Sequence, residues 1–302
     1  MKAVLLHAYG DTDQLHYEDV PDPIPAEGEI LVRLAATSVN PIDWKMRNGS
    51  AAARFPIEFP AILGRDIAGI VRAIGPGVTG FSPGDKVIAL STRTYAELAV
   101  VKAADTAHIP EGLDVVEAAA LPLVLLTGEQ LITRGTKIQP GQTVLVTGAI
   151  GSVGRSAVFV AKKAGAKVIA GVRKSQLDKA ADLKADQLIA LDDDDALAKL
   201  GFLDAIADTV SGQIAEKLLA KVKQNGIFAT VAALPENAAL HPTVQVTRIV
   251  CTPDAATLRT LAEDIAAGRF KIPITRMMQL KEAAEAQTLA EKGAGGKILL
   301  LT

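Results

Sequence analysis

Thr143-Val144-Leu145-Val146-Thr147-Gly148-Ala149-Ile150-Gly151-Ser152-Val153-Gly154-Arg155 decides how this chain is read. The first five residues are apolar or β-branched and have the length of a buried strand. Glycines at 148, 151 and 154 punctuate a turn, and the apolar spacing of residues 153–164 predicts a helix. Such a turn exposes backbone amides at the positive end of the helix, where bulkier residues would hold a pyrophosphate away. Gly148, Ala149, Ile150, Gly151, Ser152, Val153 and Gly154 are therefore candidate phosphate-binding residues, and Gly154 also permits close packing of helix on strand. Ala149 stands where the usual dinucleotide fingerprint carries a glycine, so the match is a variant. A glycine turn also occurs without a ligand, and the surrounding pattern has to decide.

That pattern alternates strands and helices. Strands are predicted at 167–172, 187–191, 203–208 and 226–232, helices at 175–183 and 214–222, and an edge strand at 244–251. The rhythm implies an α/β domain built on a doubly wound parallel sheet, the Rossmann arrangement. An NAD site places a carboxylate on the ribose at the end of the second strand. Here Arg173 and Lys174 stand instead, and a guanidinium beside an ammonium suits an adenosine 2′-phosphate. NADPH is the expected cofactor; the bland alternative is a solvated surface pair. Asp178 and Asp182 read as surface carboxylates. Ala232 ends the fifth strand, and with Ala233 and Leu234 in the loop after it is placed by switch-point geometry against the nicotinamide carboxamide.

The first third has a different texture. Short β-type runs at 3–7, 29–35, 67–74, 86–90 and 95–101 are separated by Pro and Gly clusters, which predicts an antiparallel barrel. Asp114 caps a predicted helix over 114–121, and another helix is expected at 255–267. The runs 271–274 and 297–301 are too few for a sheet of their own and return to the barrel. The expected domains are 1–113, 114–252, and a returning segment 253–302.

Composition narrows the function classes. With 302 residues, 34 acidic against 32 basic and a net charge of −2, the chain has no polybasic stripe for phosphate backbones, so no nucleic-acid partner is expected. Mean hydropathy is +0.26, but Glu117 and Pro122 break the longest apolar run, so no membrane span is expected. The first ten residues lack a signal-peptide core, and a cytoplasmic location is the expectation. Cys251, in the predicted edge strand, is the only cysteine. It permits no intramolecular disulfide and no thiolate zinc cluster. His7, His16, His108 and His241 show no ligand spacing. The acidic run 192–195 lacks a calcium-loop scaffold and reads as a solvated loop.

Taken with the opening Met1-Lys2-Ala3-Val4, Gly28-Glu29-Ile30-Leu31-Val32-Arg33, Asn40-Pro41-Ile42-Asp43-Trp44-Lys45, Gly64-Arg65-Asp66-Ile67-Ala68-Gly69, Pro83-Gly84-Asp85-Lys86-Val87, Asp208-Thr209-Val210 and Gly295-Gly296-Lys297-Ile298, the chain resembles the medium-chain dehydrogenase/reductase superfamily. Within it the resemblance is to the zinc-independent quinone oxidoreductase and enone reductase branch, and it covers nearly the whole chain. It implies a GroES-like β-barrel joined to the Rossmann domain, hydride transfer from NADPH to a quinone or an α,β-unsaturated carbonyl, and a homodimer formed along the edge of the Rossmann sheet. Zinc-dependent relatives carry a His-Glu pair where Arg65-Asp66 stands and a Cys near Asn40, so no metal is implied.

The resemblance also assigns roles. The loop 40–45 faces the nicotinamide, with Lys45 as cationic donor, Asn40 offering an amide and Asp43 fixing the loop. An Asn-Pro-x-Asp run is equally a turn former, so Asp43 has a plain structural reading. Trp44 either lines the pocket or packs in the core. Thr127 stands against the cofactor, or else bonds the preceding helical turn. Leu191 replaces an aromatic found near the adenine in some members. A second reading keeps the fold and the NADPH site in a redox-sensing or structural protein with little turnover.

Overall fold

The computed structural model describes all 302 residues, and its backbone contacts divide it into two compact units. One comprises Met1–Leu123 and Pro253–Thr302, the other Val124–Thr252. The first boundary lies ten residues after the expected 113/114. The cause is the alanine-rich turn Glu117–Ala120, which is 3-10 rather than α-helical and packs on three strands of the first unit. Asp114 does punctuate this turn, its carboxylate accepting the amides of Val116 and Glu117.

In chain order the first unit contributes β1 (Lys2–Leu6), β2 (Leu15–Asp19), β3 (Glu29–Ser38), α1 (Pro41–Arg47), β4 (Ala61–Ile62), β5 (Asp66–Ile74), β6 (Lys86–Leu90), β7 (Leu98–Lys102) and β8 (Thr106–His108). Then follow α2 (Pro122–Gln130), β9 (Thr143–Thr147), α3 (Ser152–Lys163), β10 (Lys167–Val172), β11 (Gln187–Ala190), α4 (Asp194–Lys199), β12 (Leu203–Asp208), α5 (Gln213–Leu219), β13 (Val222–Thr230) and β14 (Gln245–Arg248). The chain returns to the first unit with α6 (Ala255–Ala266), β15 (Ile274–Gln279), α7 (Ala283–Glu291) and β16 (Lys297–Leu301).

In the first unit the sheet order is β15-β16-β3-β5-β6-β8, with β7 also on β3 and a small sheet β2-β1-β4 beside it. β3 pairs with β7 through residues 29–33 and with β16 through 36–38, so the returning segment adds β16 and β15 to the sheet of the first unit. Ile30, Val32 and Leu34, alternate residues of β3, point into one core with Ile67, Val71 and Val87. Ile298 and Leu300 of β16 join Val4, Leu6 and Tyr95 in a second core closed by Ala283 and Ala286 of α7.

The second unit is a six-stranded, wholly parallel sheet in the order β11-β10-β9-β12-β13-β14. Its order reverses between β9 and β12, the topological switch point at whose carboxyl ends ligands bind in such folds. β9, β10 and β12 coincide with the predicted strands. Elsewhere the structure differs. The second predicted helix is two 3-10 turns, Lys174–Gln176 and Asp178–Leu183. The edge strand ends at Arg248, which leaves Cys251 outside it. Asp193, from the run read as a loop, caps α4 by accepting the amide of Ala196, so its carboxylates serve a helix start.

Candidate functional site

The predicted site residues divide between the units. In the second, β9 delivers the chain to Gly148, whose φ of +60° favours glycine, and whose added Cβ would meet the Thr209 hydroxyl at 2.5 Å. Ala149 is fully buried beneath the turn and bonds the Gly171 carbonyl through its amide, so the variant position is filled inward. A Cβ on Gly154 would lie 2.2 Å from the Gly148 carbonyl oxygen, which is the close approach of helix to turn expected of this glycine. None of the amides of Ser152, Val153 and Gly154 donates to a backbone carbonyl. They form the open, positive end of α3.

Two features of this turn escaped the sequence. Arg155, nearly buried, donates to the Ile150 carbonyl at 3.0 Å and pairs with Asp182 at 2.8 Å, clamping the turn to the segment after β10. Its signal was only a cation one step past the last glycine. Asp208 ends β12 and is fully buried. It accepts the Thr147 hydroxyl at 2.8 Å, the Thr230 hydroxyl at 2.7 Å and the amides of Val210 and Ser211 at 3.2 Å. One carboxylate thus ties the carboxyl ends of β9, β12 and β13 at the switch point.

At the end of β10 the two cations part company. Arg173 is exposed and its guanidinium has no partner, whereas the Lys174 ammonium stands 3.2 Å from Asp193. Lys174 is held further by its amide, which donates to Asp192. Thr127, in α2, makes no hydrogen bond to the preceding turn, so its hydroxyl is unspent. Ala232 donates its amide to the Thr230 hydroxyl, while Ala233 and Leu234 follow β13 as exposed residues.

In the first unit, residues 40–47 are not a loop but the start and body of α1. Pro41 holds the first helical position, and Asp43 Oδ2 accepts the Asn40 amide at 2.8 Å. Lys45 is exposed on this helix, its ammonium without a partner. Trp44 is partly buried against the second core, which favours its packing role. Asn40 and Asp43 are fully buried. The Asn40 amide is spent inside the unit: Oδ1 accepts from Lys297 at 2.6 Å and Nδ2 donates to Asp66 at 2.7 Å. It therefore has no amide group left over for a ligand, in contrast to the role expected of it.

Asp43 Oδ2 also accepts the Tyr95 hydroxyl at 3.0 Å, while Oδ1 is buried without a partner. Burial pushes this carboxyl from 3.8 up to about 7, and the Asn40 and Tyr95 bonds only partly oppose the rise. The folded chain consequently holds this proton more tightly than the unfolded chain between those values. Stability from Asp43 is greatest below about pH 4, falls as pH rises and levels off above about 7, losing on the order of 4 kcal/mol across the window. Urea midpoints from pH 5 to 8 should show this slope in the parent and not in Asp43→Asn. Parallel profiles would refute it.

The alcohol dehydrogenase GroES-like domain family matches residues 26–111, and the zinc-binding dehydrogenase family matches residues 183–300. The chain belongs to the medium-chain dehydrogenase/reductase superfamily. It is 36% identical over 199 residues to the chloroplastic quinone-oxidoreductase QR1 of Triphysaria versicolor, a match covering 63% of this chain and 60% of that protein. It thus spans about three fifths of the length of the curated relatives it matches. The solved quinone oxidoreductase from Coxiella burnetii superposes with a TM-score of 0.91 at 28% identity, covering 100% of this chain and 99% of that one. Mycobacterial Rv1454c complexed with NADPH superposes at 0.86 and 26% identity, with 100% of both chains covered.

The relatives of this superfamily member imply two groups, zinc and a dinucleotide, and its donor chemistry treats them differently. For zinc it does not fit. His7 lies against Glu18 and His16, His108 stacks on Phe81, and nowhere do three His, Cys, Asp or Glu side chains converge. For a dinucleotide it fits: the glycine cradle and the open amides of α3 offer backbone donors of the kind a pyrophosphate takes. No helix is long and apolar enough to cross a membrane.

Proposed function

We propose that the chain is a zinc-independent, NADPH-preferring oxidoreductase acting on a quinone or an α,β-unsaturated carbonyl. The observation that carries the reading is the glycine turn with its open helix amides, joined in the same unit by an unpartnered Arg173 at the end of the neighbouring strand. Relatives named quinone oxidoreductases support the acceptor class. Gly148, Ala149, Ile150, Gly151, Ser152, Val153 and Gly154 would hold the pyrophosphate, Thr127, Ala232, Ala233 and Leu234 the nicotinamide half, and Arg173 the 2′-phosphate, with Lys174 joining by releasing Asp193.

When bound, NADPH supplies the hydride. Lys45 then does the protein's part: its free ammonium donates to the acceptor oxygen on which negative charge develops, while a proton arrives from solvent. Asn40 and Asp43 serve that step indirectly, by fixing the start of α1. The reading includes a cytoplasmic homodimer joined through β14, the last strand of its sheet.

Oxidation of NADPH and of NADH by the purified chain, against quinones, enones and enals, tests the reading. Turnover preferring NADPH is expected. Arg173→Ala should raise the KM for NADPH roughly 10- to 100-fold and leave NADH unaffected. Lys45→Ala should lower kcat about 100-fold. NADH preference would remove Arg173 from the phosphate site, and full turnover without Lys45 would end its catalytic assignment. Tight NADPH binding with no turnover on any acceptor would favour the redox-sensing alternative.

A further inference from the structure

Lys297 opens β16 and is only 4% exposed, which is rare for an ammonium side chain. Its Nζ donates to Asn40 Oδ1 at 2.6 Å and to the Val39 carbonyl at 3.2 Å, and stands 3.6 Å from Asp66 Oδ2. That same Asp66 oxygen accepts Asn40 Nδ2 and the Ser38 hydroxyl, while Oδ1 accepts the Leu123 amide at 2.7 Å. The Asn40 amide is consequently held from both ends. Turning it over would set its NH2 against the ammonium and its oxygen against the carboxylate, exchanging two attractions for two repulsions. Asn40 is also the residue from which α1 starts, its backbone amide bonded to Asp43.

A buried ion pair is a poor source of stability, because desolvation offsets most of the attraction. Burial indeed pulls the Lys297 ammonium below its ordinary value, against the opposing charges of Asp66 and Asp43. The pair does impose direction, since only one amide orientation satisfies both charges.

We propose that Lys297 is a positioning residue, whose buried ammonium acts with Asp66 to fix the Asn40 amide and so the start of the helix that presents Lys45. The proposal rests on the catalytic reading of Lys45, and its test separates the two. Lys297→Met, Asn40→Leu and the double variant are compared by kcat and KM for 1,4-benzoquinone, by NADPH affinity, and by hydrogen exchange of the α1 amides.

Lys297→Met should lower kcat about 30-fold, change KM and NADPH affinity less than about threefold, and speed exchange in α1 at least about tenfold. In the Asn40→Leu background the same substitution should change kcat and exchange less than about threefold, because Lys297 acts through Asn40. Additive losses, or unchanged exchange in α1, would overturn the proposal. Should Lys297→Met fail to fold, Lys297→Met with Asp66→Asn removes both charges and takes its place in the same comparison. If the parent turns over no acceptor, the catalytic reading falls, and exchange in α1 alone decides on Lys297.

Discussion

Gly154→Val should weaken NADPH binding by more than about 100-fold and destabilise the chain by about 3 kcal/mol. The reason is local. The atoms that a side chain at 154 would meet are the Gly148 carbonyl oxygen at 2.2 Å, the Ala149 Cα at 2.8 Å and the Gly148 carbonyl carbon at 2.9 Å. All are backbone, so none can rotate away, and α3 must retreat from the turn. Its retreat misaligns the open amides of Ser152 and Val153, to which the proposed function assigns the pyrophosphate. Gly151→Ala is the matched control. Its Cβ would meet only the Gly148 carbonyl oxygen, at 3.1 Å, and the residue is exposed. Stability should then stay within about 1 kcal/mol while affinity drops roughly tenfold, since the methyl intrudes on the ligand side. Fluorescence titration with NADPH and urea unfolding measure both quantities. Parent-like binding by Gly154→Val would show that the turn does not hold the dinucleotide.

The parts of the fold that were legible share one physical property: they are buried on both faces. β9, β10 and β12 lie inside a parallel sheet, so the middle of each is an apolar run, residues 144–146, 168–170 and 205–207, and the polar or glycine residues that follow help to delimit them. Residues 40–45 were read as a loop, and Asn-Pro-x-Asp suits a turn. The same four residues also make a helix start, with proline at the first position and a carboxylate reaching back to the amide of Asn40, and that signal was available. α7 is alanine-rich and only three of its residues are buried, so its apolar stripe is faint.

Candidate site residues stand out in a sequence where their chemistry is local. The glycine turn carries its proposed function in consecutive residues. Lys297 does not: its partner Asn40 is 257 residues away, and a lysine heading a strand ordinarily signals an exposed end. Lys174 shows the converse case. As one of two adjacent cations it looks equivalent to Arg173, and only the return of the chain past β11 brings Asp193 to neutralise it. Pairing across the fold distinguishes residues that the sequence presents as alike.

Asp208→Ala should cost on the order of 4 kcal/mol, enough to unfold a marginal domain. The carboxylate is the acceptor for two hydroxyls and two amides, from Thr147, Thr230, Val210 and Ser211. Thr147 and Thr230 are as fully buried as Asp208 itself, so their hydroxyls have no water to turn to. Removing an acceptor from buried donors costs about 1–3 kcal/mol for each donor stranded, whereas removing donor and acceptor together is much cheaper. This asymmetry gives a test that a mere packing role would fail. Adding Thr147→Val and Thr230→Val to Asp208→Ala should recover part of the lost stability, although each threonine substitution alone is destabilising. Additive losses across the three would refute the network. Thr147 and Asp208 close the ends of β9 and β12, and Thr209 bonds Thr147 through both its amide and its hydroxyl, while approaching the space beside Gly148. The partly recovered triple variant should therefore bind NADPH more weakly than its stability alone implies, because the strand ends that shape the glycine turn are no longer tied.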